Sequence, residues 1–159
     1  MTNLAAPLLS VRDLKVHFKV RHSRTAMVKA VDGVSFDLSA GQTIALVGES
    51  GCGKSTTAYA IVGLEPVTSG SIHFQGQDIT HADRRARRAL AGQIEIVFQD
   101  PSAALNPKMC IRDSIAEPLA IQGWPRAERE SRVTELFDRV GLPASFASRT
   151  PNEIGRAHV

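Results

Sequence analysis

The stretch Gly48-Glu49-Ser50-Gly51-Cys52-Gly53-Lys54-Ser55 fits the pattern G-x-x-x-x-G-K-[ST]. It constrains the fold more than any other feature of the chain, because each residue type answers a physical demand. Glycines let the backbone turn sharply, so that successive N–H groups point inward as an anion nest. The helix that follows directs its positive end and free N–H groups at the same place. Lys54 adds a point charge for β and γ phosphates, and the Ser55 hydroxyl is a ligand for Mg²⁺. At average residue abundances the pattern arises by chance in roughly one chain in two hundred of this length. Its context reduces that further. Thr43–Val47 (TIALV) before it is nearly all apolar, the pattern of a strand buried on both faces. Lys54–Val62 after it reads as a helix, closed by Gly63 and followed by Pro66. Strand, glycine-rich loop and helix in that order favour a nucleoside triphosphate site over a bare turn. Cys52 occupies a loop position that wants a small residue.

The flanking chain sorts by hydrophobic period. Leu8–Phe18 mixes apolar and polar residues with β-branched members and reads as a strand; Lys19–Lys29 is basic and irregular and reads as a loop. Val34–Leu38 alternates as a half-buried strand does, and Ala40-Gly41 makes a turn. Ser71–Phe74 and Glu95–Phe98 are further short strands by the same criterion, with a helix over His81–Ala91 between them. From Ile111 the spacing becomes helical: Ile111–Ile121 and Arg126–Val140, broken by Gly123 and ended by Gly141-Leu142-Pro143. No internal repeat or low-complexity tract is present.

Composition excludes several classes. The 159 residues suffice for one domain, and 43% apolar with 22% charged is ordinary for a globular chain. No apolar run nears the roughly 20 residues that cross a bilayer. Met1–Leu9 lacks a basic stretch followed by an apolar one, so it does not read as a signal peptide, and the expected location is the cytosol. Net charge is +3, which does not imply nucleic acid. The run Arg84, Arg85, Arg87, Arg88 has no interleaved aromatic residues and reads as a solvated helix face. Cys52 and Cys110 form no CxxC pair, so neither a disulfide framework nor a zinc site is expected.

Val28–Leu38 (VKAVDGVSFDL), Gly41–Thr57 (GQTIALVGESGCGKSTT), Thr68–Ile79 (TSGSIHFQGQDI) and Ile94–Met109 (IEIVFQDPSAALNPKM) together resemble the ATP-binding subunits of ABC transporters. Within these they are similar to the group serving dipeptide, oligopeptide and nickel importers, FQDPSAALNP being the sharpest pointer. The resemblance covers about residues 8–153. It implies an α/β fold, the P-loop NTPase ABC-type nucleotide-binding domain: an antiparallel β subdomain beside a parallel-sheet core, and the start of a helical subdomain, incomplete here. The expected divisions are 1–108 for the β-rich, phosphate-loop core, 109–154 for the partial helical subdomain and 155–159 for a tail unlike the family.

Residue roles follow from the resemblance. ATP contacts are expected from Gly48, Glu49, Ser50, Gly51, Cys52, Gly53, Lys54, Ser55 and Thr56. Phe18 stands where the family places an aromatic, usually Tyr, that stacks on adenine; its alternative is a core phenylalanine ending a strand. Gln99 matches the glutamine that contacts Mg²⁺ and the attacking water beside the membrane subunit. Ser55 and Gln99 are therefore the expected metal contacts, and ATP with Mg²⁺ the expected cofactors. The implied partners are transmembrane permease subunits, a second ATP-binding subunit in a head-to-tail dimer and, indirectly, a periplasmic binding protein, with no nucleic acid. The implied place is the cytoplasmic face of the inner membrane, and the implied activity is ATP hydrolysis coupled to uptake of peptides or nickel.

Two stretches depart from the family. After Pro151-Asn152-Glu153-Ile154 the family continues into Ser-Gly-Gly-Gln, which clamps ATP held by the opposite subunit; here Gly155-Arg156-Ala157-His158-Val159 follows. No catalytic set is complete, since the acidic strand end and switch histidine lie in the family's remaining half, and His158 is too early to be that histidine. Met109–Ser114 (MCIRDS) replaces a small, apolar stretch. Both read as foreign sequence. The expectation for the chain alone is weak nucleotide binding, negligible hydrolysis and poor solubility. Alternatives are a non-catalytic fragment and an ABC-type ATPase without a membrane partner, the latter disfavoured by the LNP segment after Gln99. A GTPase or small-molecule kinase matches neither the strands before the loop nor the Gln99 region.

Overall fold

The computed structural model describes residues 6–20, 23, 26–100 and 104–154. They fall into two compact units, Met1–Ile96 and Val97–Val159. The expected tail 155–159, part of the 19–29 loop, the N-terminal five residues and residues 101–103 of the FQDPSAALNP phrase lie outside the described residues.

In the first unit, β1 (Leu9–Lys19), β2 (Met27–Leu38), β3 (Ser69–Phe74) and β4 (Gln77–Asp78) form one sheet in the order β2-β1-β3-β4. Every pairing is antiparallel. The central strand β1 does not keep a strict period of two. Val11, Leu14 and Val16 are the buried positions, and the register against β2 shifts between Val11 and Leu14. Asp13, at φ +42°, absorbs the extra residue. This bulge returns Leu14 to the buried face after the polar pair Arg12-Asp13. Leu14, Val16, Val31, Ile72 and Ile79, with Ala60 from the helix α1 (Lys54–Val62), make the core. Each fully buried Leu, Ile or Val there contributes about 1.5–3 kcal/mol relative to exposure.

Helix α1 packs against β1 and β2. It has the bounds that the sequence predicts, with a left-handed glycine at either end, Gly53 (φ 91°) and Gly63 (φ 81°). Strands β1, β2 and β3 differ from expectation by one residue, seven residues and two residues at their first position, β2 beginning at Met27 rather than Val34. The predicted helix over 81–91 is shorter: α2 spans Arg84–Leu90, N-capped by the Asp83 carboxylate, which accepts from the Ala86 N–H at 2.8 Å.

Two predicted strands do not form. Thr43–Val47 and Glu95–Phe98 join no sheet, so the expected parallel core is not seen among the described residues. A strand exists by exchanging backbone hydrogen bonds with a neighbour. No such neighbour runs beside Thr43–Val47 among the described residues, and Val47 is 91% exposed, Val97 88%.

The second unit is helical: α3 (Ile111–Ile121), α4 (Arg126–Arg139), a 3-10 turn over Ala144–Phe146 and α5 (Pro151–Ile154). Ile111, Val133, Phe137, Phe146 and Ile154 form its core. The start of α3 is anchored from outside the helix: the Ile111 N–H donates to the Arg149 carbonyl at 2.9 Å and the Arg112 N–H to that of Ala147 at 3.0 Å. The unusual Met109–Ser114 stretch thus still opens a helix, with Ile111 as its buried residue. Glu153 reaches back to the start of α5, its Oε2 accepting from the Thr150 N–H at 2.7 Å and from the Thr150 hydroxyl at 2.9 Å.

Candidate functional site: the glycine-rich loop and helix α1

The loop Gly48–Gly53 leads straight into α1, and its two inner glycines, Gly51 (φ 84°) and Gly53 (φ 91°), both take left-handed conformations. That alternation is what turns successive N–H groups to one side. Gly53 is required for a second reason. A Cβ at this position would stand 2.1 Å from the Ala30 carbonyl oxygen of β2. The loop therefore closes directly onto the sheet backbone, and the sheet sets where the helix begins. No side chain caps the first turn of α1. The first helical bond comes from the loop itself, the Thr57 N–H donating to the Gly53 carbonyl at 2.8 Å.

Three side chains of the first turn take different parts. The Lys54 ammonium folds back over the loop and donates to the carbonyls of Gly48 at 2.8 Å and Glu49 at 2.7 Å, with Cys52 Sγ 3.5 Å away. The buried Thr57 hydroxyl donates to the Gly53 carbonyl at 2.9 Å and braces the turn. Ser55 is exposed and its hydroxyl makes no hydrogen bond among the described residues, so it is available to a ligand. Glu49, Ser50, Gly51 and Cys52 are exposed at the loop rim, and Thr56 is half-buried on α1. The exposed Cys52 sulfur lies beside Gly48, where a Cβ would stand 2.6 Å from it. This explains the two small residues at those places.

The loop suits a triphosphate with its metal. It offers backbone N–H groups, one ammonium already turned into the loop and one free hydroxyl. No group of three or more His, Cys, Asp or Glu that can hold a metal by itself occurs among the described residues. Mg²⁺ does not need one, since it keeps most of its water and takes one or two protein oxygens alongside phosphate.

The remaining predicted contacts lie apart in the chain. Phe18 is half-buried near the end of β1, packed against the core and opposite Val28. Val28 and its neighbour Met27 are 55% and 47% exposed, so this end of the sheet presents apolar surface. Gln99 is exposed in a bend of the second unit. Of the four arginines read as a solvated face, Arg84, Arg85 and Arg88 are exposed, but Arg87 is not. Its guanidinium donates to the carbonyls of Ile61, at the far end of α1, at 3.1 Å and of Ile79 at 2.8 Å. Burial lowers its pKa below the ordinary guanidinium value. The sequence holds a signal for this. Arg87 precedes the buried Leu90 by three residues and so shares its side of the helix.

A sheet that receives a glycine-rich loop, a helix opened by Lys-Ser and a nest for phosphates define a nucleotide-binding cassette. The profile of the ABC transporter family matches residues 31–156, and the chain belongs to that family. It is 44% identical over 152 residues to the oligopeptide transport ATP-binding protein AppF of Bacillus subtilis, an alignment covering 92% of this chain and 46% of that protein. It is also 44% identical over 149 residues to the di/tripeptide transport ATP-binding protein DppF of Pseudomonas aeruginosa, covering 91% and 46%. The chain spans about half the length of these relatives. Among solved structures, the dimeric bacterial ABC transporter cassette MJ0796 superposes with a TM-score of 0.79 at 21% identity, over 94% of this chain and 64% of that one. The same cassette in a post-hydrolysis state bound to ADP and Pi gives 0.78 at 22%, over 92% and 63%. At that identity the likeness concerns the fold.

Proposed function

We propose that this chain carries the ATP-binding portion of an ABC importer subunit, which couples ATP binding and hydrolysis to peptide uptake. The observation that supports it most is the Gly48–Ser55 loop, closed on the sheet at Gly53 with Lys54 already turned inward. The names of the relatives support peptides as the substrate class.

In this reading the loop N–H groups and the positive end of α1 hold the β and γ phosphates. Lys54 moves its ammonium from the Gly48 and Glu49 carbonyls to phosphate oxygen, a short shift within one loop. Ser55 supplies one oxygen to Mg²⁺, whose chemistry is to neutralise charge on the phosphates. Phe18 offers its ring to adenine. Gln99 is the second metal contact and faces the membrane subunit. The subunit works as a head-to-tail pair on transmembrane permease subunits at the cytoplasmic face of the membrane, served by a substrate-binding protein. Among the described residues no helix is long and apolar enough to cross a membrane, which fits a peripheral subunit. Residues 1–108 act as core and 109–154 as the start of the helical subdomain.

A chimera tests this. Residues 1–154 of this chain replace the matching segment of AppF in cells that must take up oligopeptides to grow. Growth restored by the chimera, and lost with Lys54→Ala, supports the reading. A chimera that accumulates but never restores growth contradicts it.

A further inference from the structure

Arg87 is the one member of its arginine run that turns inward, and what it meets is the far end of the phosphate-loop helix. The last carbonyls of a helix have no partner within it. At the end of α1, the Gly63 N–H donates to the Ala60 carbonyl at 3.2 Å and the Leu64 N–H to that of Tyr59 at 2.8 Å. The Ile61 carbonyl receives its donor from Arg87 Nη1 at 3.1 Å. Nη2 of the same guanidinium donates at 2.8 Å to the carbonyl of Ile79, a fully buried residue beside β4. One fork thus ties the helix end to the sheet edge. Gly63 makes room for it: a Cβ there would stand 2.5 Å from Arg87 Cζ and Nε. No carboxylate pairs with Arg87 among the described residues, so its charge faces the negative end of α1.

We propose that Arg87 is a positioning residue for the phosphate loop, acting through α1. The helix has nine residues and is about 14 Å long, rigid enough that a slip at one end appears at the other. At its first turn no side chain caps α1, and Gly53 lies against the Ala30 carbonyl. Arg87 fixes the other end and thereby the place of Lys54 and Ser55. The proposal rests on the nucleotide-binding reading above, and its test separates the two.

The test titrates ATP, with and without Mg²⁺, into the chain and its Arg87→Met, Arg87→Lys and Arg85→Met variants at several salt concentrations. It also follows hydrogen exchange of the Lys54–Thr57 amides without nucleotide. Arg87→Met should weaken binding about tenfold, the scale of a lost charged hydrogen bond. Arg87→Lys should recover part of this, and Arg85→Met, on the exposed side of α2, should change nothing. The salt dependence of binding in Arg87→Met should match the parent, because the guanidinium does not touch phosphate. The Lys54–Thr57 amides should exchange faster. Unchanged affinity, or a lost affinity accompanied by a flatter salt dependence, overturns the proposal. If the parent chain itself binds no ATP, the nucleotide-binding reading fails, and the amides alone decide: unaltered exchange overturns the positioning role. Should Arg87→Met lose its cooperative melt, Arg87→Lys is judged by the same readouts.

Discussion

The Lys54 ammonium stands 2.8 Å from the carbonyl oxygen of Gly48, so the lysine that closes the glycine-rich loop is bonded to the glycine that opens it. The loop is thereby preorganised, with the Lys54 ammonium held against the Gly48 and Glu49 carbonyls. The hydroxyl of Ser55, the next residue, makes no hydrogen bond among the described residues. This contrast yields a first prediction. Mg²⁺ should tighten ATP binding to the parent chain, and Ser55→Ala should erase most of that gain while leaving metal-free binding nearly unchanged. Titrations in Mg²⁺ and in chelator measure both.

Gly53 and Gly51 both have positive φ, but only Gly53 lies against another segment. Gly51→Ala should cost about 1–2 kcal/mol, the penalty of a left-handed L-residue. Gly53→Ala should cost clearly more, because its Cβ meets the Ala30 carbonyl at 2.1 Å, and should abolish nucleotide binding. Denaturant midpoints of the two variants give the comparison.

Thr80 is buried, and its hydroxyl accepts from the Ile72 N–H at 2.8 Å while lying 2.5 Å from Asp78 Oδ1. Thr80→Val keeps the shape and strands the Ile72 N–H in the core. The expected loss is about 1–3 kcal/mol of unfolding free energy, with Thr80→Ser much milder.

Acid should loosen the first unit in a defined window. Asp32 is held below the ordinary carboxylate value of 3.8 by hydrogen bonds from Lys29 and His17, Asp37 by Arg12 and Ser10, and Asp78 by Thr80. A carboxylate with a lowered folded pKa contributes stability that is present above its unfolded value and disappears as pH falls through the folded one. Stability should therefore decline below 3.8 and keep falling to the depressed values. All three groups are exposed, so salt should blunt the effect. Denaturant midpoints against pH, compared with Asp37→Asn, measure it; a flat profile in Asp37→Asn identifies the Arg12 pair as the main contributor.

What the sequence made legible is local. Helix α1 could be bounded to the residue because Gly53 and Gly63 punctuate both ends, and α3 because helical spacing stops before Gly123. The first and second strands were partly readable, but the bulge at Asp13 and the early start of β2 depend on pairing, which a one-dimensional pattern does not carry. Thr43–Val47 shows the limit plainly. Its apolar run states what the chain tends to bury, and the strand still needs a neighbour. The loop stands out in the sequence because phosphate chemistry fixes the residue types and spacing of such a pattern. Arg87 is hard to pick out because four arginines in five residues resemble a solvated face; its spacing from the buried Leu90 is the sign in the sequence, and the Ile61 and Ile79 carbonyls are what it turns in to meet.

The central claim is that the Gly48–Ser55 loop of this chain binds ATP, and calorimetric titration of Mg-ATP into the chain and its Lys54→Ala variant tests it most directly. The predicted result is saturable one-to-one binding by the parent chain that Lys54→Ala abolishes. Equal binding by both, or none by a chain that melts cooperatively, would contradict it.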